Sequence, residues 1–209
     1  GILCEATGEA AIEIRNSTIE KAQGGNATGN GNGGNGIYSK GDLTIEGSTI
    51  GKWTTDSKNN QIPDTDTRAL GGNADAGAQG GHGIYSEKKL TIEGSTIGTA
   101  QGGTGKNGGK GILCEATGEA AIEIRNSTIE KAIGGNATGN GNGGSGIYGD
   151  GSIGIYGDGN IDISQSAKIN TATGGDSADG TGGDGIHSDG KFTISESPSG
   201  DAWPNTIGT

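Results

Sequence analysis

Apolar and polar residues alternate along this chain in short bursts that return many times. In LTIEGSTI, Leu43 to Ile50, an extended backbone sends Leu43 and Ile45 one way and Thr44 and Glu46 the other. The same order recurs at Leu90 and Ile92, Ile12 and Ile14, Ile122 and Ile124, Ile161 and Ile163, and Phe192 and Ile194. Ile19, Ile50, Ile97, Ile129 and Ile169 define a further apolar column, and Ile2, Ile37, Ile84, Ile112, Ile155 and Ile186 another. A period of two among so many glycines predicts strands and excludes helices. Four aliphatics per repeat, each worth ~1.5–3 kcal/mol when fully buried, hold a stack of repeats together.

The repeat begins at a Gly-Ile anchor, found at positions 1, 36, 83, 111, 146, 154 and 185. The shortest complete unit runs from Gly83 to Lys110. Longer units add residues in the first turn and in the glycine-rich part, and the unit from Gly36 adds sixteen between Ile50 and the next Gly-Gly pair. One core rung therefore explains the full-length units, and a chain that stacks one unit this often is expected to be a solenoid. Residues 1–209 read as one solenoid with about six rungs and Gly-rich returns, and 52–67, with Trp53 and Pro63, as a loop inserted into it. The anchors at 146 and 154 lie too close for both to occupy the stack. Residues 1–35 and 111–145 differ only at Gln23/Ile133 and Asn35/Ser145, a recent duplication of one cassette.

Gly47 and its counterparts Gly94, Asn16 and Asn126 predict a corner, because Gly and Asn accept a left-handed backbone. Lys40-Gly41, Gly149-Asp150, Gly157-Asp158 and Asp189-Gly190 predict another. In the glycine-rich returns small residues fall at every third position, as at Gly71, Ala74, Gly77, Gly80 and Gly83. That spacing suits polyproline-II geometry. A tract about half glycine also produces it by chance, and plain loops are the expectation.

Composition changes the picture by subtraction. With 48 glycines in 209 residues and 28% hydrophobic residues, the chain lacks the material for an irregular core. A net charge of −11 argues against nucleic acid and against an anionic membrane surface. No apolar run approaches the ~18 residues of a membrane span, so no membrane insertion is expected, and no signal peptide is visible. Cys4 and Cys114 replace Ser39 and Ser86 at an inward position three rungs apart, too far for a disulfide. Two buried, inert thiols are expected.

Laid out in this way, the GIY-x-x-G-x-LTI units and GG-x-GI returns resemble the right-handed parallel β-helix repeats of bacterial surface proteins. Adhesins, autotransporter passengers and the pectate-lyase-like superfamily carry such repeats. The resemblance spans the whole chain as a pattern and implies an all-β, right-handed parallel β-helix. It also implies an extracellular or cell-surface setting and a structural or adhesive role. Enzymes of that superfamily bear clustered acidic residues with Arg or Lys on one strand face, binding calcium and an acidic polysaccharide. Here Arg15, Arg68 and Arg125 are the only arginines, and the sequence displays no comparable cluster. The alternative reading is a carbohydrate-active β-helix enzyme or its non-catalytic repeat region.

Two sets of residues are candidates for chemistry. Tyr38, Tyr85, Tyr148 or Tyr156, and His187 share one outward column with Leu3 and Leu113. Such a ladder would stack on sugar rings, or would simply cover the glycine-rich return. Asp176, Asp179, Asp184 and Asp189 lie in GGDSADGTGGDGIHSDG, similar to Gly-Asp turns that bind calcium; a solvated acidic loop is the simpler reading. No other cofactor is indicated. Asn16, Asn26, Asn126 and Asn136 open Asn-x-Ser/Thr sequons, and Thr18, Thr49, Thr96 and Thr128 form a single threonine row, too narrow for an ice-binding array. Glycans or other surface proteins are the partners this reading implies. Self-association through open solenoid ends is implied too, since Gly1 starts directly on a core strand.

Overall fold

The alternating segments form strands, and the strands line up repeat by repeat. The computed structural model describes residues 1–9, 11–57, 61–63, 68–75, 77–116, 118–138, 140–149, 159–195 and 206–207. Among them there is no helix. Three parallel sheets take one strand or strand pair from each repeat, in chain order.

The first sheet runs Ile2–Cys4, Ile37–Ser39, Ile84–Ser86, Ile112–Cys114, Ile147–Gly149, Ile186–Ser188. Its register puts Ile2, Ile37, Ile84, Ile112, Ile147 and Ile186 in one column. Ile147, and not Ile155, takes the fifth place, so the anchor at Gly146 is the one that pairs. Ile155 lies outside the described residues.

The second sheet runs Ile12–Arg15, Leu43–Glu46, Leu90–Glu93, Gly118–Arg125, Gly159–Ser164, Phe192–Ser195. Leu43 and Ile45, Leu90 and Ile92, Ile122 and Ile124, and Ile161 and Ile163 are all fully buried. Thr44 and Glu46 alternate with them on the wetter side, as period-two patterning requires. These residues join Ile50, Ile97, Ile129 and Ile169 of the third sheet in one apolar core.

The third sheet has nine strands and explains the insertion. Thr96–Gln101 is continuous, whereas in the preceding unit Thr49–Ile50 and Ala69–Leu70 pair with its two halves. The chain leaves at Gly51 and returns one step further along the same line. Between those points Trp53–Thr55 and Gln61–Pro63 pair with each other, antiparallel and outside the parallel sheets.

The corner between second and third sheets is left-handed as predicted, with φ of 46° at Asn16 and Asn126 and 54° at Gly47 and Gly94. The next residue in the first four units is a serine that serves as a bolt, exposed in the first unit and buried in the other three. Ser17, Ser48 and Ser95 each donate their N–H to the Oγ of the following unit's serine, at 3.1 Å. Each receiving hydroxyl donates onward to backbone carbonyls. The fifth unit carries one extra residue here, and Gln165 and Ser166 are both left-handed. At Lys40-Gly41 the chain bends with no left-handed residue; Gly41 is needed because a Cβ would stand 2.3 Å from Gly8 O.

The glycine-rich returns are not plain loops. Each unit sends out one segment (Gly24–Ala27, Gly71–Ala74) and brings back another (Gly33–Gly36, Gly80–Gly83). Along both, hydrogen bonds to the next unit leave at every third residue: Gly24 N–H to Leu70 O and Ala27 N–H to Asn73 O, each 2.8 Å, then Gly33 to Gln79 and Gly36 to His82, each 2.9 Å. This is the three-residue period of an extended, polyproline-II-like backbone. A second set runs crosswise, from Gly34 N–H to Gly25 O, Gly72 to Gly34, Gly81 to Gly72, Gly103 to Gly81, and on through Gly183 to Gly175. The segments approach so closely that side chains are excluded; a Cβ on Gly81 would lie 2.0 Å from Gly34 O.

Candidate functional site

The sheet register assembles the outward column of the first sheet as Leu3, Tyr38, Tyr85, Leu113, Tyr148, His187. Tyr148 stands at the fifth place; Tyr156 lies outside the described residues. The rings of Tyr38 and Tyr85 sit 5.0 Å apart and tilted, so they cover part of each other's faces. Both hydroxyls are committed: Tyr38 donates to Glu87 Oε1, and Tyr85 to Glu115 Oε2 at 2.5 Å. Burial, then these carboxylates, push both phenols well above their ordinary value, so neither acts as a base near neutrality.

At the far end of the column, His187 bridges two carboxylates, with Nδ1 2.7 Å from Asp184 Oδ2 and Nε2 3.0 Å from Asp189 Oδ1. Those bonds hold the imidazole above its ordinary value. Asp184 is thus turned toward His187, while Asp176 continues a backbone ladder, its N–H donating to Asn136 Oδ1 at 3.0 Å. Among the described residues no three His, Cys, Asp or Glu side chains converge on a cation position.

That ladder was not visible in the sequence. Side-chain oxygens on the glycine-rich segments accept the N–H of the residue one unit on: Asn26 from Asn73, Asn32 from Gln79, Asn35 from His82, Asn107 from Asn142. His82 stands in the Asn35 position and plays the same part with its ring, Nδ1 accepting the N–H of Lys110 at 2.8 Å. It is 8% exposed. Burial pushes it down to about 3, so the ring is neutral, and with Nδ1 an acceptor the proton sits on Nε2. Its edge meets the Tyr85 ring with centroids 5.1 Å apart. Beside them opens a cleft of about 250 Å³, walled by glycine-rich backbone on one side and Tyr85, Leu113 and Glu115 on the other.

A second group, on the outward face of the second sheet, also escaped sequence reasoning. Glu123, 6% exposed, binds Lys89 Nζ at 3.0 Å and Arg125 Nη2 at 2.8 Å. Asp162 is its register neighbour. The equivalent Glu13 is exposed and paired with Arg15, which also binds Glu46. Glu123 and Arg125, like Glu13 and Arg15, are two residues apart on one strand, whereas Lys89 and Glu46 come from a neighbouring unit, so no short motif announces either whole group. The bases bound to Glu123 are engaged by a single carboxylate, and the pairing is that of a structural ion bridge.

Thr18, Thr49, Thr96 and Thr128 do form one row, continued by Lys168. Asn16 and Asn126 lie at exposed corners and Asn26 and Asn136 on the exposed side of the ladder. Cys114 is fully buried, its sulfur 2.6 Å from Lys88 O, and its thiol is pushed up to about 12 by burial. Cys4, on an edge strand, is only half-buried, contrary to expectation. No known family, curated protein or solved structure matches this chain.

Proposed function

We propose that the units coil as a right-handed parallel β-helix of about six rungs, and that the chain is a structural, adhesive repeat region of a bacterial surface or secreted protein. The observation that carries this reading is the agreement of strand order with chain order in the first and second sheets, with residue-for-residue register. A stack of that kind repeats its outward side chains at ~4.8 Å intervals, which suits lengthwise contact with an extended partner. Glycans and other surface proteins are such partners, and no catalytic step is assigned.

The test has two arms. Solution scattering should give a cross-section that stays constant along the particle and a length near ~29 Å for six units at ~4.8 Å each. The labelled chain, printed against a glycan array and incubated with host-type cells, should be retained. Retention nowhere, together with release of unsaturated or reducing ends from polysaccharides, would replace this reading with the carbohydrate-active enzyme.

A further inference from the structure

The repeat is uniform along its strand columns and varies along the returning ladder. In the returning column the successive residues are Asn35, His82, Lys110, Ser145 and Asp184. At His82 the ladder inserts an aromatic ring in place of a short side chain. The cleft of about 250 Å³ lies there, lined by Asn32, Asn35, Gln79, His82, Lys110 and, on the opposite wall, Tyr85, Leu113 and Glu115.

The donors and acceptors of this cleft are unequally spent. Asn32 and Asn35 use their Oδ1 atoms as ladder acceptors, which leaves their amide N–H groups over. His82 spends Nδ1 on Lys110 N–H, and its Nε2–H makes no hydrogen bond among the described residues and keeps contact with solvent. A ligand oxygen placed there would accept from this otherwise unused N–H. Glu115 supplies an acceptor whose second oxygen is not used by Tyr85. Leu113 and the exposed part of Tyr85 supply an apolar wall. The formal charges of Lys110 and Glu115 cancel, so the cleft selects for neither sign.

From this arrangement we infer that the cleft beside His82 binds one neutral sugar residue. Ring and hydroxyl oxygens accept from His82 Nε2–H and the Asn32 and Asn35 amides, one hydroxyl donates to Glu115, and the C–H face rests on Leu113 and Tyr85. Apolar lining with a few convergent polar groups is the usual make-up of a small-molecule site. The inference rests on the adhesive reading above and narrows it to a single subsite.

The experiment titrates the intact chain with methyl glucoside, galactoside and mannoside, N-acetylglucosamine, glucuronate and acetate, following amide and imidazole resonances by NMR. At least one neutral sugar should shift the resonances of His82, Leu113 and Lys110 saturably. H82N keeps the ladder acceptor, as Asn35 does one unit earlier, and Y85L copies Leu113 in the next unit. Both should melt like the parent and bind that sugar at least tenfold more weakly. No saturable shift with any neutral sugar, response to glucuronate or acetate alone, or unchanged binding in folded H82N overturns the site. Cell or array retention that survives H82N leaves the adhesive reading standing without this subsite. Sugar binding at the cleft with no retention anywhere removes the adhesive reading and keeps the subsite.

Discussion

Replacing Gly81 with alanine tests the glycine layer at one of its close backbone approaches. The new Cβ would sit 2.0 Å from Gly34 O and 2.6 Å from Gly34 C, where ordinary contact begins at 3.4 Å. The two segments must then part by about 1.4 Å, the difference between 3.4 Å and 2.0 Å. Gly34 O accepts from Gly72, Gly81 donates to Gly72 O and its own carbonyl accepts from Gly103, all at 2.8–2.9 Å. Losing two of these bonds at ~1 kcal/mol each, with ~1–3 kcal/mol of overpacking, outweighs the ~0.4–1 kcal/mol gained by stiffening the unfolded chain. The expected net loss is about 3 kcal/mol. Gly77→Ala is the control, since its Cβ would meet only Asn30 Oδ1 at 3.5 Å. It should change stability by less than about 0.5 kcal/mol. Urea unfolding followed by circular dichroism measures both. If G81A unfolds at the parent's midpoint with the parent's slope, the layer is not close-packed and the reasoning fails.

Three further outcomes are expected. Ile92→Asp places a carboxylate at a fully buried position and should cost roughly 4 kcal/mol or more, whereas Ile194→Asp, 48% exposed, should cost less than about 1 kcal/mol; equal losses in urea melts would mean the core is misassigned. Cys114 should resist thiol reagents at pH 8 until the chain unfolds, and Cys114→Ser should be nearly neutral because Ser39 and Ser86 occupy the same register; prompt labelling of Cys114 in the folded chain would contradict its burial. His82 is held below its ordinary value of ~6.5, so the folded chain keeps its full stability above that pH and loses it as pH falls toward about 3. H82N should lose less stability over that window, and an unchanged acid limb would show that another group controls it.

Period-two alternation was enough to place the core of the inner units, because a strand has only two faces, whereas Phe192 and Ile194 of the last unit follow the pattern and are exposed. Ile37, Leu43, Ile45 and Ile50 all point inward as the pattern requires. The left-handed corner was legible because only glycine and asparagine occupy it in four units. The glycine layer was not legible, since a run of glycines looks the same whether its backbone is ordered or free. What decides the matter is the distance between two backbones, and no side chain reports it. The ladder hid for a related reason. Asn35 and His82 share no chemistry except an acceptor at a suitable reach, so the column reads as unrelated loop residues. Lys89 meets Glu123 only through register, which sequence spacing gives one unit at a time.

The shared register has a consequence for heredity. Residues 1–35 and 111–145 engage the following unit through the same pairs, Ile2 with Ile37 in one case and Ile112 with Ile147 in the other. A crossover between the two cassettes would delete or add three whole units and rejoin the chain at a junction already present elsewhere in it. No strand would change its facing partner type, and the returning ladder would differ only where Ser145 stands for Asn35. Mutation by recombination, ordinarily ruinous to a folded domain, here alters length alone, so a population of such genes can vary reach while every member still folds.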